Sequence, residues 1–188
     1  MLNKLYYNLI DNWIDKTKIS EIIKDDFIFK SNYTARILDV GCGCCYLYDS
    51  LIKSDEILKG KLFYEGVDVD RFEFIHSESE IKFINDSIMN IHDQYEYVVS
   101  CHMLEHVNND IEILQKINTL LKPNGKFFIA VPEIRSYISE RLDVGHINLY
   151  TLDHLIQKLI ICNFIPFKSK VLELIKNKHE IFIACYKK

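Results

Sequence analysis

Apolar residues recur along this chain in two alternating rhythms. Short β-branched runs bounded by glycine or charge predict strands, and apolar positions three and four apart predict helices. Leu5, Leu9, Trp13, Ile19, Ile22 and Ile23 stand at helical spacing among Asp, Lys and Asn, so Leu2 to Phe29 is expected to form one or two amphipathic helices. Ala35 to Val40 (ARILDV) reads as a buried strand ending at Gly41. Tyr46 to Lys53 reads as a helix with Leu47, Leu51 and Ile52 inward, and Lys61 to Val69 as a second strand that completes a βαβ unit. Further strands are expected at Ile81 to Ile84, Tyr97 to Cys101 and Lys126 to Val131, with a helix from Ile111 to Leu121 stopped by Pro123-Asn124-Gly125. Thr151 suits the N-cap of a helix through Ile161, with Asp153 in its first turn. Phe167 to Ile175 and Ile181 to Tyr186 then predict a terminal β-hairpin. The alternation implies a doubly wound α/β fold: a mostly parallel sheet with helices on both faces and a C-terminal antiparallel pair.

At 188 residues, 48% hydrophobic and 27% charged, the chain can bury one good core and is short for two ordinary domains. Residues 1–188 are therefore expected to form a single domain, with 1–34 as its N-terminal helical region. The formal net charge of −4 disfavours nucleic acid and anionic membranes as partners. Of six cysteines, three crowd into Cys42, Cys44 and Cys45; the Cys42/Cys45 pair has CxxC spacing, but no second pair completes a zinc site, so free thiols in a reducing cytosol are expected. Met1 to Asn12 lacks the pattern of a secretory leader, and no apolar run approaches membrane-spanning length, so a cytoplasmic location is expected.

The segment Leu38-Asp39-Val40-Gly41-Cys42-Gly43-Cys44-Cys45 joins the first strand to a helix. A Gly-x-Gly turn there lets a ligand approach the backbone and meet helix N-terminal amides. The second strand ends Gly66-Val67-Asp68, where an acid can accept both hydroxyls of a ribose, and Asp86 after the third strand can accept the amino group of a base. A lone Gly-x-Gly is weak evidence, more often a tight connection than a site, but three strand ends here agree.

From Arg36 to Phe164 this pattern resembles the class I S-adenosylmethionine (SAM)-dependent methyltransferases, whose first motif reads Asp-x-Gly-x-Gly-x-Gly. Asp39, Gly41 and Gly43 fall on that motif, Asp68 on the ribose-binding acid, and Asp86 with Ser87 on the adenine-contacting pair. Leu104-Glu105-His106-Val107, Leu121 to Lys126 and Gly145 to Thr151 resemble later landmarks of the group, the first as it stands in ubiquinone-type O-methyltransferases. The resemblance implies a Rossmann-like fold and SAM as cofactor, bound by Asp39, Gly41, Cys42, Gly43, Asp68, Val69, Asp86, Ser87 and Cys101. The third glycine position carries Cys45, whose side chain is expected to crowd the methionine moiety or push the loop outward.

A second constellation follows the fourth strand. His102, Glu105 and His106 would stand at i, i+3 and i+4 on one face if a helical turn begins there, and a distant His146 could join them. This grouping also resembles the Glu-x-x-Glu-His and later His of metal-dependent small-RNA terminal 2′-O-methyltransferases, with His102 in place of the first Glu. Three roles are open to it: a divalent-cation site, a metal-free His base, most simply His102, or packing of loop against helix. His76, His92, His154 and His179 are expected in solvent. Tyr6, Tyr7, Trp13 and Tyr150 are candidates to close over the cofactor or substrate, core packing being the more frequent use of such aromatics, and the N-terminal helix with Tyr6 and Tyr7 is expected to form part of a lid. The function expected is methyl transfer from SAM to an oxygen, less readily a nitrogen, of a small polar or sugar-like acceptor. An RNA 3′-end 2′-O-methyltransferase and a non-catalytic SAM-binding module are the alternatives.

Overall fold

The computed structural model describes residues 19–25, 33–53, 55, 58, 60–70, 81–135, 145–175 and 178–188. Seven strands form one sheet: β1 (Ala35–Val40), β2 (Leu62–Asp68), β3 (Lys82–Asn85), β4 (Tyr95–Cys101), β5 (Leu121–Pro132), β6 (Phe164–Ile175) and β7 (Lys178–Lys187). Their order is β3-β2-β1-β4-β5-β7-β6. The first five pair in parallel, and β7 runs antiparallel to both β5 and β6.

Strict alternation along the central strands fills both faces. Val98 on β4, Phe127, Ile129 and Val131 on β5 and Ile181, Ile183 and Cys185 on β7 join one core cluster. Their neighbours Tyr97, Val99, Phe128, Ala130, Phe182 and Ala184 join the other. Burying one Leu or Ile side chain is worth about 1.5–3 kcal/mol, so a one-residue slip of any central strand would be heavily penalised. The first face is covered by α2 (Asp110–Leu120), through Leu114, Ile117 and Leu120, and by α3 (Leu152–Ile161), through Leu155 and Leu159. Asn109 caps α2 at the Glu112 amide, and Thr151 caps α3 at the His154 amide, as expected. The second face is covered by Leu47 of α1 (Tyr46–Tyr48), by Leu51 just beyond it, and by Ile19 and Ile23 of the helical residues 19–25.

Two segments depart from the sequence reading. The expected Tyr46–Lys53 helix is a single α turn followed by a π-type turn, Asp49–Lys53, in which Ser50 Oγ donates to the Leu47 carbonyl at 3.1 Å and competes with backbone pairing. Pro123-Asn124-Gly125 lies within β5 instead of before it. Leu121 already pairs with Tyr95, and the excursion is absorbed as a register shift with Asn124 at φ 62°. Residues 1–18, and with them the expected lid of Tyr6, Tyr7 and Trp13, lie outside the described residues, as does His76.

β1 has β2 on one side and β4 on the other, so the chain reverses its direction of travel across the sheet between β1 and β4. The crevice opened there, at the carboxyl ends of the strands, is where open α/β sheets bind ligands.

Candidate functional site

Gly41 follows β1 at φ 71° and Gly43 lies at φ 53°, conformations that disfavour a side chain. Gly41 also has no room for one, because a Cβ there would lie 2.5 Å from Met103 Cγ. A Cβ at Gly43 would meet nothing within 4 Å, so its backbone borders open space. The Gly41 amide donates to the Val67 carbonyl at 2.9 Å, and the Gly43 amide to Asp68 Oδ2 at 2.9 Å, which ties the turn to the end of β2. The other Asp68 oxygen accepts from the Asp70 amide at 3.0 Å. Asp86 Oδ1 accepts from the Ser87 amide and from Asn90 Nδ2. These residues border a cleft of about 230 Å³ whose lining includes Gly41, Asp68, Val69, Asp86, Ser87 and Met103. Acids at its edge and an apolar wall suit a ligand with a polar sugar and a flat base.

Asp39, Cys42 and Cys101 are buried instead of lining this cleft. Asp39 accepts a 2.5 Å hydrogen bond from Tyr64, whose phenol is pushed well up by burial and the facing carboxylate. Cys42 and Cys45 both sit in the core beneath Gly66, where a Cβ would come within 2.8 Å of Cys42 Sγ and 3.1 Å of Cys45 Sγ. Hydrogen bonding with Cys45 and burial push the Cys42 thiol up, which keeps it in the unreactive protonated form. Cys45 therefore does not crowd a ligand. At φ 58° it adopts the left-handed backbone a glycine would, and this conformation turns its thiol inward.

Beyond β4 the expected helical face does not form. His102 is itself left-handed, at φ 53°, because its amide still pairs with the Ala130 carbonyl of β5 at 3.0 Å, and only one 3-10 turn, Leu104–His106, follows. The side chains nevertheless converge. His102 Nδ1 lies 3.3 Å and His106 Nε2 3.9 Å from the same atom, Glu105 Oε1. The His106 and His146 rings meet edge-on at 4.7 Å. Glu105, His106 and His146 each offer a ligand atom within 4.8 Å of the others, and His102 falls outside that mutual set. Glu105 is 1% exposed, and no donor among the described residues gives its carboxylate a well-formed hydrogen bond. His106 Nδ1 lies 2.8 Å from the Gly145 carbonyl. A carbonyl only accepts, so Nδ1 carries the proton, and in the neutral ring Nε2 presents a lone pair towards Glu105.

The segment bearing His146 is laced to this turn. The Glu105 carbonyl accepts from the Ile147 and Asn148 amides, Asn148 Nδ2 donates to the Leu104 and Val107 carbonyls, and the Tyr150 hydroxyl bridges the Leu104 carbonyl and Asp110, so Tyr150, a candidate to close over the ligand, is instead a buried core residue. Met103 joins the two halves of the site, lining the cleft against Gly41 one residue from His102 and two from Glu105.

The model of the Methyltransferase domain family matches residues 15–159. The chain belongs to the class I SAM-dependent methyltransferases. Among curated relatives, the ubiquinone biosynthesis O-methyltransferase of Yersinia enterocolitica is 28% identical over 103 residues, which are 52% of this chain and 43% of that protein. That of Aeromonas salmonicida is 31% identical over 100 residues, 50% of this chain and 42% of that protein. The matched stretch is thus under half the length of either relative. The fold superposes on 1,6-didemethyltoxoflavin-N1-methyltransferase of Burkholderia thailandensis, solved with S-adenosylhomocysteine, with a TM-score of 0.70 at 17% identity over 99% of this chain and 85% of that one.

Of the residues the structure brings to this site, Glu180 and Met103 were not singled out by the sequence reading. Glu180 had a legible signal, a lone acid opening the apolar run Ile181-Phe182-Ile183; Met103 had none. His179, expected in solvent, is half-buried, whereas His92 and His154 are exposed as expected. No helix among the described residues is long and apolar enough to cross a membrane.

Proposed function

We propose that this methyltransferase moves the methyl group of SAM to an oxygen, less readily a nitrogen, of a small polar acceptor, with a divalent cation held by Glu105, His106 and His146. The Gly43 backbone would face the methionine part, Asp68 the ribose, and Asp86, through Oδ2, the adenine amino group. Asp68 is well chosen for two tasks, since it also anchors the Gly43 amide. When bound, SAM supplies a methyl group already activated by its sulfonium. The chain then has to align the acceptor with the S-to-methyl bond and take charge of its proton.

The observation that carries the reading is the buried Glu105 carboxylate, approached by imidazoles and given no well-formed hydrogen bond by the described residues. Its contacts fit a cation: ligands about 2.0–2.2 Å from one ion stand roughly 3–4 Å apart, and His106 Nε2 lies 3.9 Å from Glu105 Oε1. A backing carbonyl on Nδ1 is also the usual support of a metal-bound imidazole. The chemistry such an ion supplies is to lower the pKa of a hydroxyl and fix its oxygen, which an alcohol needs more than an amine does. Without an ion, His106 Nε2 is the basic nitrogen that faces the site, and it could take the acceptor proton directly.

Radiolabelled SAM incubated with a panel of catechols, sugars and amines tests the proposal. O-methyl products that disappear in excess chelator and return with Mg²⁺ or Mn²⁺ are expected. Methylation of amines alone would reject the oxygen assignment, and full activity in chelator would reject the cation.

A further inference from the structure

At the carboxyl end of β5 a buried acid holds an exposed base. Arg135 Nε donates to both oxygens of Glu133, at 3.1 and 3.0 Å, and the Arg135 amide donates to Glu133 Oε2 at 2.8 Å. The Glu133 side chain is 3% exposed, and among the described residues every hydrogen bond of its carboxylate goes to Arg135. Burying a carboxylate is costly unless it is paired, so this acid is committed to one arginine. Arg135 itself is 71% exposed, and its two Nη groups make no hydrogen bond among the described residues. The guanidinium is thus anchored at Nε and presents a rigid, planar fork of N–H donors. It does so beside the candidate reaction centre. Glu133 lines one crevice with Glu105, His146, Pro132, Ile134 and Leu149. A bridge between Glu133 and Tyr150, and the Ile134 amide on the Tyr150 carbonyl at 2.8 Å, tie this end of β5 to the segment that carries His146.

We propose that Arg135 sets acceptor specificity by binding an oxyanion, carboxylate or phosphate, carried on the same molecule as the hydroxyl to be methylated. The proposal rests on the reading above that brings the acceptor hydroxyl to Glu105, His106 and His146. A guanidinium fork matches the two oxygens of a carboxylate or phosphate in paired, charge-assisted hydrogen bonds. The charge balance agrees. Glu133 and Arg135 offset each other, so a divalent ion at Glu105 leaves the crevice positive and favours an anionic acceptor. The rest of its lining includes the apolar Pro132, Ile134 and Leu149, and Ile147 and Leu149, next to His146, are 52% and 44% exposed. That strip suits the apolar or flat body of a hydroxylated acid, whereas a neutral acceptor would leave the fork unused.

Three probes test this: 3,4-dihydroxybenzoate, its uncharged methyl ester, and 2-hydroxyphenyl phosphate. Each is titrated calorimetrically at neutral pH into the full chain saturated with S-adenosylhomocysteine and Mg²⁺. The acid should bind at least about tenfold more tightly than the ester, the low end for a charge-assisted contact because the guanidinium is largely exposed. Arg135→Gln should remove that preference and leave the affinities for the ester and for SAM unchanged. The side chain is at the surface, so the variant is expected to fold, and its SAM binding verifies this. Whichever anion binds more tightly identifies the oxyanion, provided its advantage disappears in Arg135→Gln. Equal affinity for all three probes, an anion preference that survives Arg135→Gln, or binding of none of them would overturn the role of Arg135. The same titrations in excess chelator keep this apart from the cation reading. A preference that persists there and depends on Arg135 leaves the proposal standing even if the cation assignment fails.

Discussion

Met103 packs on Gly41 so closely that a Cβ at position 41 would fall 2.5 Å from Met103 Cγ and 2.6 Å from its Cβ. One contact thus fixes the glycine turn of the cleft against the turn that carries Glu105. Gly41→Ala meets both this clash and the strain of φ 71°, and it should cost about 2 kcal/mol of stability in urea unfolding and weaken SAM binding at least tenfold. Met103→Ala removes Cγ but keeps the Cβ 2.6 Å away, so in the same chain it should restore only a small part of the loss, the backbone strain persisting as well. Full recovery in the double variant would show that the contact with Met103 Cγ alone matters.

The inward thiols of Cys42 and Cys45 make a contrasting prediction. Gly66→Ala would drive a methyl group to 2.8 Å from Cys42 Sγ, and it should destabilise the fold by about 1–3 kcal/mol. Cys45→Gly, which restores the glycine the family motif carries, should leave SAM affinity unchanged, because the thiol does not reach the cleft. A marked gain in affinity on calorimetry would mean that Cys45 does obstruct the ligand.

Far from the site, Glu65 is buried between Arg36, Lys82 and Tyr95. Burial alone would raise its pKa, but hydrogen bonds from Lys82 and Arg36 outweigh it and hold the carboxyl below the usual range. A carboxylate with a depressed folded pKa contributes stability that is fully present above the unfolded value, near 4.5, and is lost as pH falls through the folded value. Unfolding midpoints should therefore drop below about pH 4.5. Glu65→Gln should be less stable at pH 7 and show a shallower acid limb, the remainder coming from Asp93 and Glu96, whose pKa values are lowered as well. Identical acid limbs would contradict the linkage.

The strands were legible because both faces of the sheet are buried, so that runs such as Phe127 to Val131 (FFIAV) are apolar throughout and stand out from the helices. The extension of β5 back to Leu121 was not, since Pro123-Asn124-Gly125 is local turn chemistry and only pairing with Tyr95 carries the strand through it. The residues lining the cleft were foreseeable because strand ends recur at regular places in such folds. The inward turn of Cys45 was hidden, for a side chain's direction in a left-handed residue depends on the loop around it. Glu180 could be suspected as an acid beside an apolar run, but its meeting with His102 follows from the antiparallel return of β7, which spacing along the chain does not encode.

The central claim is that SAM lies in the cleft between the glycine turn and the ends of β2 and β3, with Asp68 on its ribose. Calorimetric titration of the unmodified chain and of Asp68→Ala with SAM tests it most directly. Single-site binding is predicted for the unmodified chain, weakened in the folded variant by about 2 kcal/mol, roughly 30-fold, as a charge-assisted contact and the tether on Gly43 are lost together. Equal SAM affinity in the two proteins, or no binding by either, would contradict the account.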